Sequence, residues 1–193
     1  MVYLIAGLIL FLGAHSVRIF AERWRREKIA HIGPIKWKAL LSLISILGFT
    51  LLVVGYGQAR LTPVELWQPP LWGRHLAMLL TLLAFILLVS AYLPRNSIKE
   101  KMGHPMVLSV KVWALAHLLA NGTLADLLLF GGFLLWAVLD FRASRKRDRA
   151  QALSREAGNL FATLLTVFIG TIAWAAFAIW GHAWLIGVSP LGM

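Results

Sequence analysis

The segment HLAMLLTLLAFILLVSAYL, residues His75–Leu93, decides the fold class because it contains no Asp, Glu, Lys or Arg. As a helix it is long enough to cross the ~30 Å hydrocarbon core of a bilayer. Each such stretch must be helical, since lipid cannot hydrogen-bond free backbone N–H and C=O groups. The sequence therefore predicts an all-α polytopic membrane bundle, one domain over residues 1–193, with six spans: Val2–Phe20, Ala39–Gln58, His75–Leu93, Met106–Ala120, Thr123–Leu139 and Leu160–Trp180.

The composition excludes a soluble globular enzyme. Of the 193 residues 60% are hydrophobic and 14% are charged, against about 25% charged in an average protein, and one water-soluble core cannot bury that much apolar surface. Cysteine is absent, which excludes disulfides, thiolate–zinc sites, iron–sulfur clusters and thioether-linked haem. The net charge of +11 does not indicate nucleic-acid binding, because the basic residues lie between the apolar stretches.

The basic residues also predict orientation. Sixteen of the 19 lysines and arginines lie in the first, third and fifth connections, two lie in the second, and the fourth, a tight turn at Asn121–Gly122, has none. The positive-inside rule then places the odd connections in the cytoplasm and both termini on the outer side of the membrane. The clusters Arg23–Lys28 and Arg142–Arg149 are expected to contact anionic lipid head groups.

Two histidines lie inside apolar stretches, His15 in the first span and His117 in the fourth. A neutral imidazole can bind iron, copper or zinc, or it can make a hydrogen bond between helices; both interpretations stay open. If the first helix leaves the membrane near Arg25, His15 lies about 15 Å deep and His117 about 20 Å deep, so they could share one ligand. If the boundary is nearer Phe20, His15 is shallower and His104 matches its depth better.

Other polar residues are weaker candidates for ligand binding. His104 precedes Pro105, which predicts a helix entry, so it is either a capping residue or a ligand. Lys111 lies within the fourth span and could snorkel to the interface or pair with a propionate, phosphate or carboxylate. Asp126 is one turn from the hairpin, where water could solvate it. The remaining three histidines are interpreted as ordinary interfacial residues: His31, His75 and His182.

Several short motifs occur in order along the chain: Ala14–Ser16 followed by Arg18, Ile32–Gly33 leading into Trp37–Lys38, Met102–Val107, Trp113–His117 and Asn121–Gly122. Together they resemble the NnrU family over residues 4–140. That family consists of membrane proteins associated with denitrification and is similar to 15-cis-zeta-carotene isomerase, a haem b enzyme. The resemblance implies that His15 and His117 bind the haem iron. The isomerase differs in having Arg at the position of Gly103, and nothing after Leu160 matches.

Four functions follow as hypotheses. The first is a haem b-binding inner-membrane protein that supports nitrite or nitric oxide metabolism, with Lys111 or an interfacial arginine near a haem propionate. The second is a haem-dependent cis–trans isomerase of a carotenoid or other polyene. The third is a methyltransferase like the isoprenylcysteine family, although the chain after Asp140 is basic and enters another span. The fourth is an assembly factor without a cofactor. The expected partners are membrane lipids, haem and a hydrophobic substrate; the oligomeric state is not predicted.

Overall fold

A computed structural model describes residues 1–191 and shows the all-α bundle that the sequence predicts. Five helices are long and apolar enough to cross a membrane, and a sixth apolar helix of 16 residues occupies the place of the predicted fourth span. The helices are α1 (Val2–Phe20), α2 (Glu22–Ile32), α3 (Pro34–Ala59), α4 (Leu71–Tyr92), α5 (Ser97–Met102), α6 (Pro105–Ala120), α7 (Leu124–Ala150) and α8 (Leu160–Ala176), which continues through a π-helical turn (Phe177–Gly181) into α9 (His182–Ile186).

Helices α3 and α7 extend well beyond the predicted spans, and α4 begins at Leu71, four residues before its predicted span. α3 begins at Pro34, five residues before the predicted Ala39, and α7 continues to Ala150 instead of ending near Leu139. The added segments are charged, and their alanines, lysines and arginines favour helix as strongly as apolar residues do. An apolar stretch therefore marks the part of a helix that lies in lipid, whereas the helix itself ends where capping and backbone conformation allow.

The long helices form a closed ring. In order around it, α1 packs on α3, α3 on α9, α8 with its π turn on α4, α4 on α6, α6 on α7, and α7 on α1. The surface helix α2, which buries none of its residues, and the short α5 lie outside this ring. The ends of the helices joined by the predicted first, third and fifth connections form one end of the bundle, here called the basic end.

The contact between α1 and α3 depends on glycine. A Cβ at Gly48 would lie 2.8 Å from the backbone nitrogen of Phe11, and one at Gly7 would lie 2.7 Å from that of Leu52. At Gly55 a Cβ would meet the backbone of Leu4. Small residues let helix backbones approach closely in a membrane, so these three glycines set the spacing of the α1–α3 pair.

The hairpin between α6 and α7 lies at the end opposite the basic end. Thr123 and Asp126 form a capping box at the start of α7, and Asp126 is buried, at 3% exposure, where the sequence suggested solvation. The reason is a tertiary contact, since the hydroxyl of Tyr56 donates to its Oδ1 at 2.6 Å. The loop that covers the hairpin passes so close to Gly122 that a Cβ at this position would meet the Trp67 carbonyl. Glycine is therefore needed here.

Candidate functional site

The ring of helices surrounds a partly open cavity of about 620 Å³, a volume typical of small-molecule sites. Every long helix contributes to its wall, and most of the wall is aromatic or aliphatic. The Trp174 indole N–H of α8 donates to the Thr81 hydroxyl of α4 at 3.1 Å and so joins two helices of the wall. The aromatic side chains of the lining are Phe11, Phe49, Tyr56, Phe85, Trp113, Phe130, Phe133, Trp174 and Phe177.

His117 of α6 faces this cavity. Its Nδ1–H donates to the backbone carbonyl of Trp113, one turn earlier, at 2.8 Å. Its ring stacks on Phe130 with the centroids 4.5 Å apart and the planes at 26°. The bond to the carbonyl assigns the proton to Nδ1, so Nε2 keeps a lone pair on an oriented ring, as in protein histidines that bind metals.

His182, at the start of α9, faces the same cavity. The ring centroids of His182 and His117 are 6.5 Å apart and their planes are inclined by 16°. The Nδ1–H of His182 also donates to a backbone carbonyl, that of Val188, at 2.6 Å. The sequence interpretation placed His182 at the membrane interface, whereas it lines the cavity. The only sequence signal for a position in the cavity was its place directly after an apolar stretch and next to Gly181.

Two arginines line the cavity where it reaches the end of the bundle opposite the basic end, Arg60 and Arg74. The Nη1 of Arg60 donates to the Ile186 carbonyl of α9 at 2.9 Å, and its guanidinium lies 6.0 Å from the ring centroid of Tyr56. The site thus combines two imidazoles, an apolar wall and two cations near one end of the bundle. It can hold a mostly apolar ligand that carries negative groups at that end.

The family model described as NnrU protein matches residues 3–190. The chain belongs to the NnrU family. The match covers nearly the whole chain, including the π turn and His182, whereas the motifs visible in the sequence ended at residue 140. The comparison with curated proteins and the comparison with solved structures gave no match.

In this NnrU protein His15 does not line the cavity. It is an exposed residue of α1, its Nδ1–H donates to the Phe11 carbonyl at 2.7 Å, and its ring stacks on Phe11 at 4.3 Å. Because α1 ends at Phe20, His15 is only about 8 Å along the axis from that end, whereas His117 is about 18 Å from the start of α6. Measured from the ends of their helices, His15 is therefore the less deeply placed of the two histidines.

A chain of neighbouring aromatic rings links His15 to His117, and no direct contact joins the two histidines among the ring contacts of the described residues. The Phe11 ring lies 5.6 Å from Phe133, Phe133 lies 5.5 Å from Trp113, and Trp113 lies 5.1 Å from His117, centroid to centroid. The structure does not bring the two predicted iron ligands of the NnrU motifs together. Their joint ligation stays a prediction of the resemblance.

The other two predicted site residues of the NnrU protein lie away from the cavity. His104 is the N-cap residue of α6 and is followed by Pro105, which confirms the predicted helix entry. Its Nε2–H donates to Asp148 of α7 at 2.9 Å, and Arg155 contacts the same carboxylate. Lys111 places its Nζ 4.9 Å from the ring centroid of Phe141. His104 therefore ties α6 to α7 near the basic end.

Asp148→Asn tests this structural interpretation of His104. The substitution removes the anion shared by His104 and Arg155, both partly buried, and we expect a free energy of unfolding about 1–3 kcal/mol lower with the cavity unchanged. Thermal unfolding in detergent measures the effect. Asp140→Asn is the control, because Asp140 lies in the same helix and has only a 3.8 Å contact with Arg147. Equal midpoints for the two variants would contradict the interpretation.

Proposed function

We propose that this NnrU protein is a b-type haem-binding protein of the bacterial inner membrane that supports nitrite or nitric oxide metabolism. The single observation that carries the proposal is His117, whose Nδ1–H is held by the Trp113 carbonyl while its ring faces an apolar cavity. An imidazole oriented in this way could hold a haem iron. Membership of the NnrU family supports the connection with denitrification.

The remaining wall of the cavity fits the same group. Aromatic and aliphatic side chains match the apolar face of a porphyrin and exclude water from the iron. Arg60 and Arg74 both line the cavity at the end of the bundle opposite the basic end, where their guanidinium groups could pair with propionates. The sequence suggested Lys111 for this role, but Lys111 lies against Phe141 outside the cavity. A bound haem would supply one-electron redox chemistry and reversible binding of small ligands at the iron.

The orientation is part of the proposal. Lysine and arginine are concentrated at the basic end, which supports a cytoplasmic position for that end and a periplasmic position for both termini. Arg60, Arg74 and Asn121 line the part of the cavity near the opposite end. The cavity would therefore face the periplasmic half of the membrane.

The cis–trans isomerase alternative requires room for a long polyene beside the haem. A cavity of about 620 Å³ lies in the range that one drug-sized ligand fills. The size of the site thus favours a haem protein without a second large ligand. Incubation of the reduced, haem-loaded protein with 9,15,9′-tri-cis-zeta-carotene separates the two functions, because product formation would favour the isomerase.

The decisive experiment is spectroscopic. The full chain, purified in detergent and reconstituted with haemin, is expected to show a Soret band that shifts on reduction with dithionite. His117→Ala removes a proposed ligand, so we expect haemin affinity to fall at least about 10-fold. His31→Ala is the matched control, because His31 lies on the surface helix α2. A wild-type protein without a Soret band, or equal affinities for the two variants, would contradict the proposal.

A further inference from the structure

We infer that the basic end of the bundle carries a binding groove for an anionic phospholipid with two phosphate groups. The groove, here called the basic groove, lies where α5 and α6 meet α7 and shares no lining residue with the cavity that His117 faces. It measures about 650 Å³. Its lining consists of Lys101, Met102, Leu108, Phe141, Arg142, Arg145, Lys146 and Arg149.

Four of the groove cations lie on one face of α7. Arg142, Arg145, Lys146 and Arg149 are spaced by three, four and seven residues, and side chains at this spacing are neighbours on a helix surface. Like charges at this spacing destabilise a helix, so an anion bound across the face would relieve their repulsion. Lys101 adds a fifth cation from a different helix, α5.

The acidic residues nearest to the basic groove are engaged elsewhere. Asp140 lies 3.8 Å from Arg147, and Asp148 pairs with Arg155. The Oε2 of Glu100 accepts a hydrogen bond at 2.9 Å from a backbone N–H of the loop after α7. In the described part of the chain, no carboxylate oxygen lies within 4.0 Å of any of the five groove cations. Their positive charge is therefore available to a bound anion.

The apolar part of the lining favours a lipid as the source of that anion. Leu108 belongs to the apolar helix α6, and Phe141 lies where the apolar part of α7 gives way to its charged part. The basic groove thus spans the depth at which acyl chains meet phosphate groups. A phospholipid presents both chemistries, whereas a free phosphate would leave Met102, Leu108 and Phe141 uncovered.

Lys111 adds a positive charge on the membrane side of the basic groove. Its Nζ lies 4.9 Å from the ring centroid of Phe141, which lines the groove. A lysine within an apolar helix is costly unless its amine reaches the interface or an anion. No carboxylate oxygen of the described residues lies within 4.0 Å of Lys111. A lipid phosphate at the groove would provide the missing counter-charge.

The number of cations favours a lipid with two phosphates. A phosphodiester carries one negative charge, so a single one would leave most of the five groove cations without a counter-charge. Two phosphates joined by a short linker could contact Lys101 of α5 and the arginines of α7 together. Basic pockets between membrane helices bind head groups of this kind in other proteins.

Native mass spectrometry of the full chain in detergent, without haem, tests the inference. Wild type should retain one molecule of diphosphatidylglycerol in preference to phosphatidylglycerol. The combined variant Arg142→Gln, Arg145→Gln and Arg149→Gln should bind diphosphatidylglycerol on the order of 100-fold more weakly, because each cation near a membrane surface contributes roughly five-fold. Glutamine favours helix about as strongly as arginine, so α7 should stay folded, which circular dichroism and size-exclusion chromatography check.

The matched control removes three charges from the surface helix α2, which buries none of its residues. The combined variant Arg23→Gln, Arg26→Gln and Lys28→Gln has the same net charge as the groove variant and should stay within about five-fold of the wild-type affinity. Equal losses in the two variants would mean diffuse attraction of lipids and would overturn the inference.

Two further comparisons identify the ligand. Equal retention of phosphatidylglycerol would contradict a site built for two phosphates. Inorganic pyrophosphate has two phosphates but no acyl chains, and it should not displace the lipid at equal concentration. Displacement would indicate a phosphate site without a lipid and would also overturn the inference. Because these measurements need no haem, their outcome is independent of the proposed function.

Discussion

Replacing Gly55 with leucine is expected to separate α1 from α3 and to remove most of the folded protein. A Cβ at this position would already meet the backbone of Leu4, which cannot move aside as a flexible side chain could. Insertion of one extra methylene into a packed core costs about 1–3 kcal/mol, and leucine adds a whole side chain against a fixed backbone. Leu4 is fully buried in the main hydrophobic cluster, so the displacement would reach α6 and α7.

Gly57→Leu is the matched control for Gly55→Leu. It lies two residues along the same helix, and nothing lies within 4 Å of a Cβ built on it. We expect Gly57→Leu to give wild-type yield and a single size-exclusion peak, while Gly55→Leu gives aggregated protein or a much lower thermal midpoint. Similar behaviour of the two variants would show that the close α1–α3 contact is not needed for folding.

Asp126→Ala is expected to be the most destabilising polar substitution in the bundle. The carboxylate accepts hydrogen bonds from the Thr123 backbone, the Thr123 hydroxyl and the Tyr56 hydroxyl. Loss of the Asp126 half of the capping box costs up to about 1 kcal/mol, and loss of a hydrogen bond to a charged group costs about 1.5–3 kcal/mol more. Because Tyr56 lines the cavity, its freed hydroxyl should also perturb ligand binding.

A double-mutant cycle separates the two roles of Asp126. Tyr56→Phe removes only the hydroxyl, so it should cost less than Asp126→Ala and leave the cap of α7 intact. If the 2.6 Å bond between the two side chains matters, the combined variant should be less destabilised than the sum of the single variants. Strict additivity in thermal or denaturant unfolding would contradict a coupling between Tyr56 and Asp126.

The helices could be predicted from the sequence because lipid imposes one structure on any long apolar stretch. Val2–Phe20 is helical throughout, His75–Leu93 is helical as far as Tyr92, and Pro105 marked the start of α6. The ends of α3 and α7 could not be predicted in this way, since their charged extensions are also good helix formers. The burial of Asp126 depends on Tyr56, 70 residues away, and no local pattern shows such a contact.

The candidate site could be predicted only in part. His117 was identifiable because an ionisable residue within an apolar stretch needs an explanation, and it lines the cavity. His182 was not, because its direction depends on a π turn that the sequence FAIWG does not reveal. The depth assigned to His15 depended on which residue ends α1. The structure ends α1 at Phe20, because the basic residues that follow form a separate helix, α2.

The ring of helices has a consequence for how the protein is made. Its closing element, α8 with the π turn and α9, is synthesised after all the other helices, and it supplies Trp174, Phe177 and His182 to the cavity wall. Until α8 is in place, the cavity lacks the part of its wall that these residues form. A molecule that contacts both His117 and α8 can therefore be held only after α8 has joined the bundle.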